Sequence, residues 1–181
     1  MRYLLHSKGR GAMALVLGAT LLLAAAAPAA ASPARPLLGK AAGTDTLVPL
    51  MQPIPECPDG TMFWVTENGT GNLAHLGLVR YTLHQCAAAD MATGEGWTLA
   101  GWITIVAANG DRLLLSHHMT FTATPMPVPK TCIGGIDWVV TGGTGRFADA
   151  TGSGGATWAC AYTPDLSGAS SVSTWWGEIA Y

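Results

Sequence analysis

From Thr61 to the C-terminus, apolar and polar residues alternate with a period of two, interrupted by short turn-like clusters. That period marks half-buried strands, because successive side chains of a strand point to opposite faces. It predicts strands over 61–67, 72–86, 96–108, 111–123, 133–141, 154–162 and 172–181. The breaks are Asn68-Gly69, residues 87–95, Asn109-Gly110, the loop holding Pro125, Pro127 and Pro129, a glycine-rich stretch after Thr141, and 164–171. Asn109-Gly110 is the strongest hairpin signal and favours a two-residue type I′ turn. A short helix over 86–93 is the one helical alternative. Seven or eight sequential antiparallel strands predict an all-β protein, an antiparallel eight-stranded up-and-down barrel with a β-sandwich as the alternative.

The same periodicity sorts side chains by face. A two-residue loop at Asn109-Gly110 pairs Ala108 with Asp111 and Trp102 with His117. On strand 111–123, Leu113, Leu115, His117, Met119 and Phe121 form the more apolar face, so His117 is expected inside and His118 outside. Strand 96–108 is ambiguous, since Leu99, Ile103 and Ile105 lie opposite to Trp102. On strand 72–86, His75, Val79, Tyr81 and Leu83 share a face. The ligand-binding candidates are therefore His75, Tyr81, Trp102 and His117. A neutral imidazole beside buried aromatics can act as acid or base near neutral pH. The plainer reading is an interior histidine that satisfies one carbonyl and one water. No metal site is expected: His75 and His117 have no short ligand spacing, and His117 and His118 face opposite ways. No G-x-S-x-G turn is present, so a serine triad has no support. No catalytic residue can be named.

The first 31 residues change the picture of where the protein works. Arg2, Lys8 and Arg10 precede an apolar run, Ala12–Ala27, and Ala29-x-Ala31 follows. This is the layout of a secretory signal peptide cut after Ala31, with a retained anchor as the alternative. Residues 32–60 hold Pro33, Pro36, Pro49, Pro53, Pro55 and Pro58 and read as an extended leader without regular structure. The barrel domain is then 61–181. The mature chain carries few charges and a net charge of −2 for the whole sequence. That argues for neither nucleic acid nor a membrane surface as partner once the signal is removed. Asn68-Gly69-Thr70 is formally a glycosylation sequon, read here as a turn.

All four cysteines, Cys57, Cys86, Cys132 and Cys160, lie in the exported part. An even number in an oxidising compartment predicts two disulfides. Strand direction alternates in a meander and brings all four to one end. Strand neighbours would join Cys57 to Cys86 and Cys132 to Cys160, although four cysteines allow three pairings.

"VTGGTGRFADATGSG", 140–154, contains Gly143-x-Gly145-x-x-Ala148. A dinucleotide loop with that spacing needs a following helix. Here the alternating "GATWACAY" follows, and Gly152, Gly154 and Gly155 would break a helix. No cofactor is expected. Gly142, Gly143, Gly145, Phe147 and Gly152 instead form a strand connection, with Phe147 tucked under it.

"VVTGGTGRFADATGSG" resembles the signature of the allene oxide cyclase and dirigent families. "ITIVAANGDRLLLSHHMTF" and "STWWGEIAY" extend the likeness, which covers Gly71 to Tyr181. The resemblance implies an eight-stranded barrel with a hydrophobic cavity, an oligomer (trimer or dimer), and an apolar small molecule as ligand or substrate. Beyond the glycine motif no family catalytic residue maps onto this chain. Glu67 lies near the mouth of the first predicted strand, but its context does not match the cyclase glutamate. The expected function is binding of an apolar small molecule in the barrel. The alternatives are a cyclase or stereochemical guide for a lipid, polyketide or phenolic substrate, and a non-catalytic interaction module. The last would show an apolar patch at Trp97, Trp175 or Trp176.

Overall fold

The computed structural model describes residues 32–124 and 130–181. The segment expected to be a signal peptide, 1–31, and the centre of the triple-proline loop, 125–129, lie outside the described residues. The strands are β1 Arg35–Pro36, β2 Gly39–Pro49, β3 Phe63–Leu73, β4 Gly77–Ala89, β5 Glu95–Val106, β6 Arg112–Ala123, β7 Thr131–Gly143, β8 Thr151–Tyr162 and β9 Gly168–Ala180. One 3₁₀ turn, Gly145–Phe147, joins β7 to β8. Each strand from β2 to β9 pairs antiparallel with the next, and β9 pairs back onto β2. The result is a closed eight-stranded up-and-down barrel, with β1 as a short addition on β9. Closure leaves the eight staves no free edge.

Four expectations are corrected. First, the leader is not irregular. Its prolines cluster at both ends, and the proline-free run between them forms β2, a full stave of the barrel. Second, Asn68-Gly69 is not a turn. β3 runs straight through it, and Asn68 pairs with Thr44 and Thr82. The turn falls at Ala74–Leu76, with His75 in the left-handed region at φ 65°. Third, the Asn109-Gly110 hairpin has a longer loop than two residues. Val106 pairs with Arg112, Gly110 N–H donates to the Ala107 carbonyl, and Gly110 sits at φ 90°. This is the turn-plus-bulge connection that competes with type I′. It slips the register by one, so Trp102 pairs with Ser116 rather than His117. Fourth, 86–89 continues β4 and a turn follows, so no helix forms there.

Connections β3–β4, β5–β6 and β7–β8 lie at one end, here the glycine end. The others, with both disulfides, lie at the cysteine end. Cys57 is bonded to Cys86 and Cys132 to Cys160, with Cα separations of 5.6 and 5.0 Å. Cys132 and Cys160 face each other directly across β7 and β8. This is the pairing expected from strand adjacency.

The glycine end is solid. Leu37, Leu73, Val79, Ile105, Leu113, Trp138, Phe147 and Ile179 are all at most 2% exposed. Phe147 plugs this end, its ring edge-on to Tyr181 at 4.8 Å. Gly145 at φ 58°, with its Cα pressed towards the Asp111 carboxylate, makes the turn that carries Phe147 inward. Gly142 in β7 and Gly152 in β8, at the same end, also have positive φ, 144° and 151°. Gly143 has the Arg112 carbonyl and the Phe147 backbone where a side chain would go.

Candidate functional site

The cysteine end is open. A cavity of about 160 Å³ enters the barrel there, lined by Leu47, Val65, Ala87, Phe121, Trp158 and Ala169 among apolar groups, and by Asp45, Gln85, Thr124 and Tyr162 among polar ones. Asp90, Met91 and Leu166 form its rim, and Cys160 sits in its wall.

Above the cavity lies a buried acidic pair. Asp45 on β2 and Glu67 on β3 are register partners, and both point into the barrel. They are 5% and 3% exposed. The Tyr81 hydroxyl, from β4, donates a short hydrogen bond to Glu67 Oε1. The Ser171 hydroxyl, from β9, donates to the same oxygen at 2.6 Å. Two carboxylates cannot both ionise cheaply when buried side by side. Burial first, then the Glu67 charge and the hydrogen bond to Glu67, push the Asp45 carboxyl up to about 8. Asp45 therefore holds a proton at neutral pH. Its Oδ2 is buried and finds no other partner in the protein. Tyr81 is raised well above the usual phenol range, chiefly by burial and then by Glu67. Tyr162 is raised by burial and by the Asp45 charge.

The pair exists because neighbouring staves leave room for it. Side chains at Gly43 and Gly69 would strike Tyr81, so the two glycines let the phenol lie flat against β2 and β3 and reach Glu67.

A second polar cluster faces the same interior. The Thr98 hydroxyl donates to Gln85 Oε1 at 2.9 Å, and His117 Nε2 lies 3.2 Å from that oxygen. With Gln85 Oε1 as acceptor, His117 carries its proton on Nε2. Its Nδ1 has no partner. Burial, and then His118, push His117 down to about 4, so the ring is neutral.

The structure separates the four sequence candidates. Tyr81 and His117 are inside the barrel. His75 is corrected: it sits exposed in the β3–β4 turn and does not line the cysteine-end cavity. Trp102 is corrected as well: the one-residue slip turns it outward, 37% exposed, where it packs with Trp64 and His84 at 5.5 and 5.6 Å. Of the tryptophans named for a surface patch, Trp175 is buried, while Trp97 on β5 and Trp176 on β9 are exposed. Those two strands are half the barrel apart, so they build no common patch. Sequence reasoning missed Asp45, which lay in the supposed leader, and Glu67 as a buried acid. The available signal was Ala41-x-Gly43-x-Asp45-x-Leu47, an alternating face of small and apolar residues with one acid on it.

No family model, curated protein or solved structure matches this chain.

Proposed function

We propose that this protein binds a small apolar molecule in the cysteine-end mouth of its barrel. The observation that carries this reading is an apolar cavity with polar groups set into its wall that find no partner in the protein. Asp45 Oδ2 and Trp158 Nε1 both belong to cavity-lining residues and both are unpartnered. Buried polar atoms are ordinarily hydrogen-bonded, so such groups beside a cavity point to a ligand's polar end. A cavity of about 160 Å³ suits a body the size of a benzene ring rather than a long lipid. Two disulfides and a signal-like N-terminus support a secreted protein. The likeness of the glycine motif to the allene oxide cyclase and dirigent families supports a cavity barrel, and with it an oligomer. Native mass spectrometry of protein from its own host tests the reading: a retained small apolar molecule is expected. A bare chain that also leaves one-ring compounds unbound in solution would reject it.

A second reading is catalysis, with the cavity holding one reactive conformer while Asp45 gives up a proton. A carboxyl kept protonated at neutral pH by burial is the form a general acid needs. Turnover of a one-ring ligand that shows a solvent deuterium isotope effect and is lost in Asp45→Asn would support it.

A further inference from the structure

We infer that the cavity's ligand carries a primary amine on a one-ring apolar body, its ammonium seated against Asp45, the register partner of Glu67. This rests on the cavity being the ligand site and adds the ligand's charge. The charge comes from the lining. Among the described residues it contains Asp45 and Asp90, and no Lys, Arg or His. The groups facing the acidic pair are Tyr81 from β4, Tyr162 from β8 and Ser171 from β9, with Asp90 at the rim. None of them is a cation. His117, on β6, is bonded to Gln85 and held neutral by burial.

Asp45 and Glu67 set two carboxyl groups side by side inside the barrel, with no cation in the cavity lining among the described residues. The hydroxyls of Tyr81 and Ser171 donate to Glu67 and bring no positive charge. A buried charge is strongly favoured by an opposite charge brought against it, and a ligand carboxylate would meet the same field with the wrong sign. Asp45 reaches the cavity wall, is nine-tenths buried and has an unpartnered oxygen. It is the point at which an ammonium can donate. The Trp158 N–H in the same wall can rest on the π face of the ligand's ring. The cavity volume admits one ring and a short arm.

The test uses three compounds of one shape, benzylamine, benzyl alcohol and benzoate, titrated at pH 7 into the full-length folded protein with binding read by calorimetry. Benzylamine should bind more tightly than benzyl alcohol by about tenfold or more, the worth of one charge-assisted hydrogen bond, and benzoate least. The Asp45→Asn/Glu67→Gln double variant keeps the shapes and removes the charge, and should abolish the amine preference. Carboxyl NMR of Asp45 in the unaltered protein reads the same contact without a variant: its signal should move with benzylamine. Equal binding of the alcohol, tighter binding of benzoate, an amine preference that survives in the double variant, or an unmoved Asp45 signal would each overturn the inference while leaving the cavity reading intact. Failure of all three compounds to bind would remove the cavity reading itself.

Discussion

The two ends of this barrel are built from the same eight staves and do opposite things. At the glycine end, large side chains meet across the interior, and Phe147 closes the gap that remains. At the cysteine end, large groups such as Phe121 and Trp158 share the interior with small or polar ones: Ala87, Gln85, Asp45, Ala169 and Thr98. The packing deficit there is offset by cross-links, since both disulfides sit at that end. One end is held by packing, the other by covalent bonds, and the second keeps space for a guest inside the barrel. A cavity forfeits the dispersion contacts that a filled core provides, so some other constraint must hold its walls.

Four measurements break or sharpen this contrast. The largest effect is expected from Phe147→Ala, which should lose about 3–5 kcal/mol in denaturant unfolding because it empties the one tight plug. An effect below about 1 kcal/mol would mean the glycine end is not the packed one. Removing the Cys132–Cys160 bridge as a double alanine variant should cost about 2–4 kcal/mol. It should also weaken binding of any cavity ligand, which Phe147→Ala should spare.

The third measurement is stability against pH. Asp45 has a folded pKa of about 8, well above its unfolded value of 3.8, so the folded state holds an extra proton between them. Stability should fall as pH rises, by about 2 kcal/mol between pH 6.5 and 8, where the opposing effect of His117 fades. Between about 4 and 6.5 the neutral His117 works the other way, because the unfolded chain takes up a proton that the buried ring refuses. The two slopes largely cancel there. In Asp45→Asn the alkaline fall should vanish and the acid-side loss from His117 should emerge. Phe147→Ala should lower the whole curve without changing its shape. The smallest effect is Gly145→Ala, about 1 kcal/mol or slightly more, from the left-handed turn. Its proximity to Asp111 adds to that cost, and it should act on stability alone.

The parts that alternation could reach were legible. Leu113, Leu115, His117 and Met119 face inward as their spacing requires, because β6 is regular and half-buried. The disulfide pairing followed from strand direction alone. Register was less legible: Asn109-Gly110 is compatible with two loop lengths, and one residue of slip moved Trp102 from the interior to the surface. β2 was hidden by counting prolines over 32–60 rather than noting that Pro36 and Pro49 bracket a clean run. The acidic pair was the least legible feature. A lone Asp or Glu on a strand usually faces water. Only the pairing of β2 with β3 reveals that Asp45 and Glu67 meet inside.

β2 has a consequence for how the chain comes to be folded. It pairs with β9, so Gly39 lies beside Trp175 and the first stave is locked by the last. During synthesis the early staves emerge first, but the ring cannot shut until the final residues have left the ribosome. Contacts that span nearly the whole chain are also the slowest to form. Without β9, β2 lacks one of its two neighbours and the ring has two bare edges. A chain of this kind stays threadable until β9 arrives.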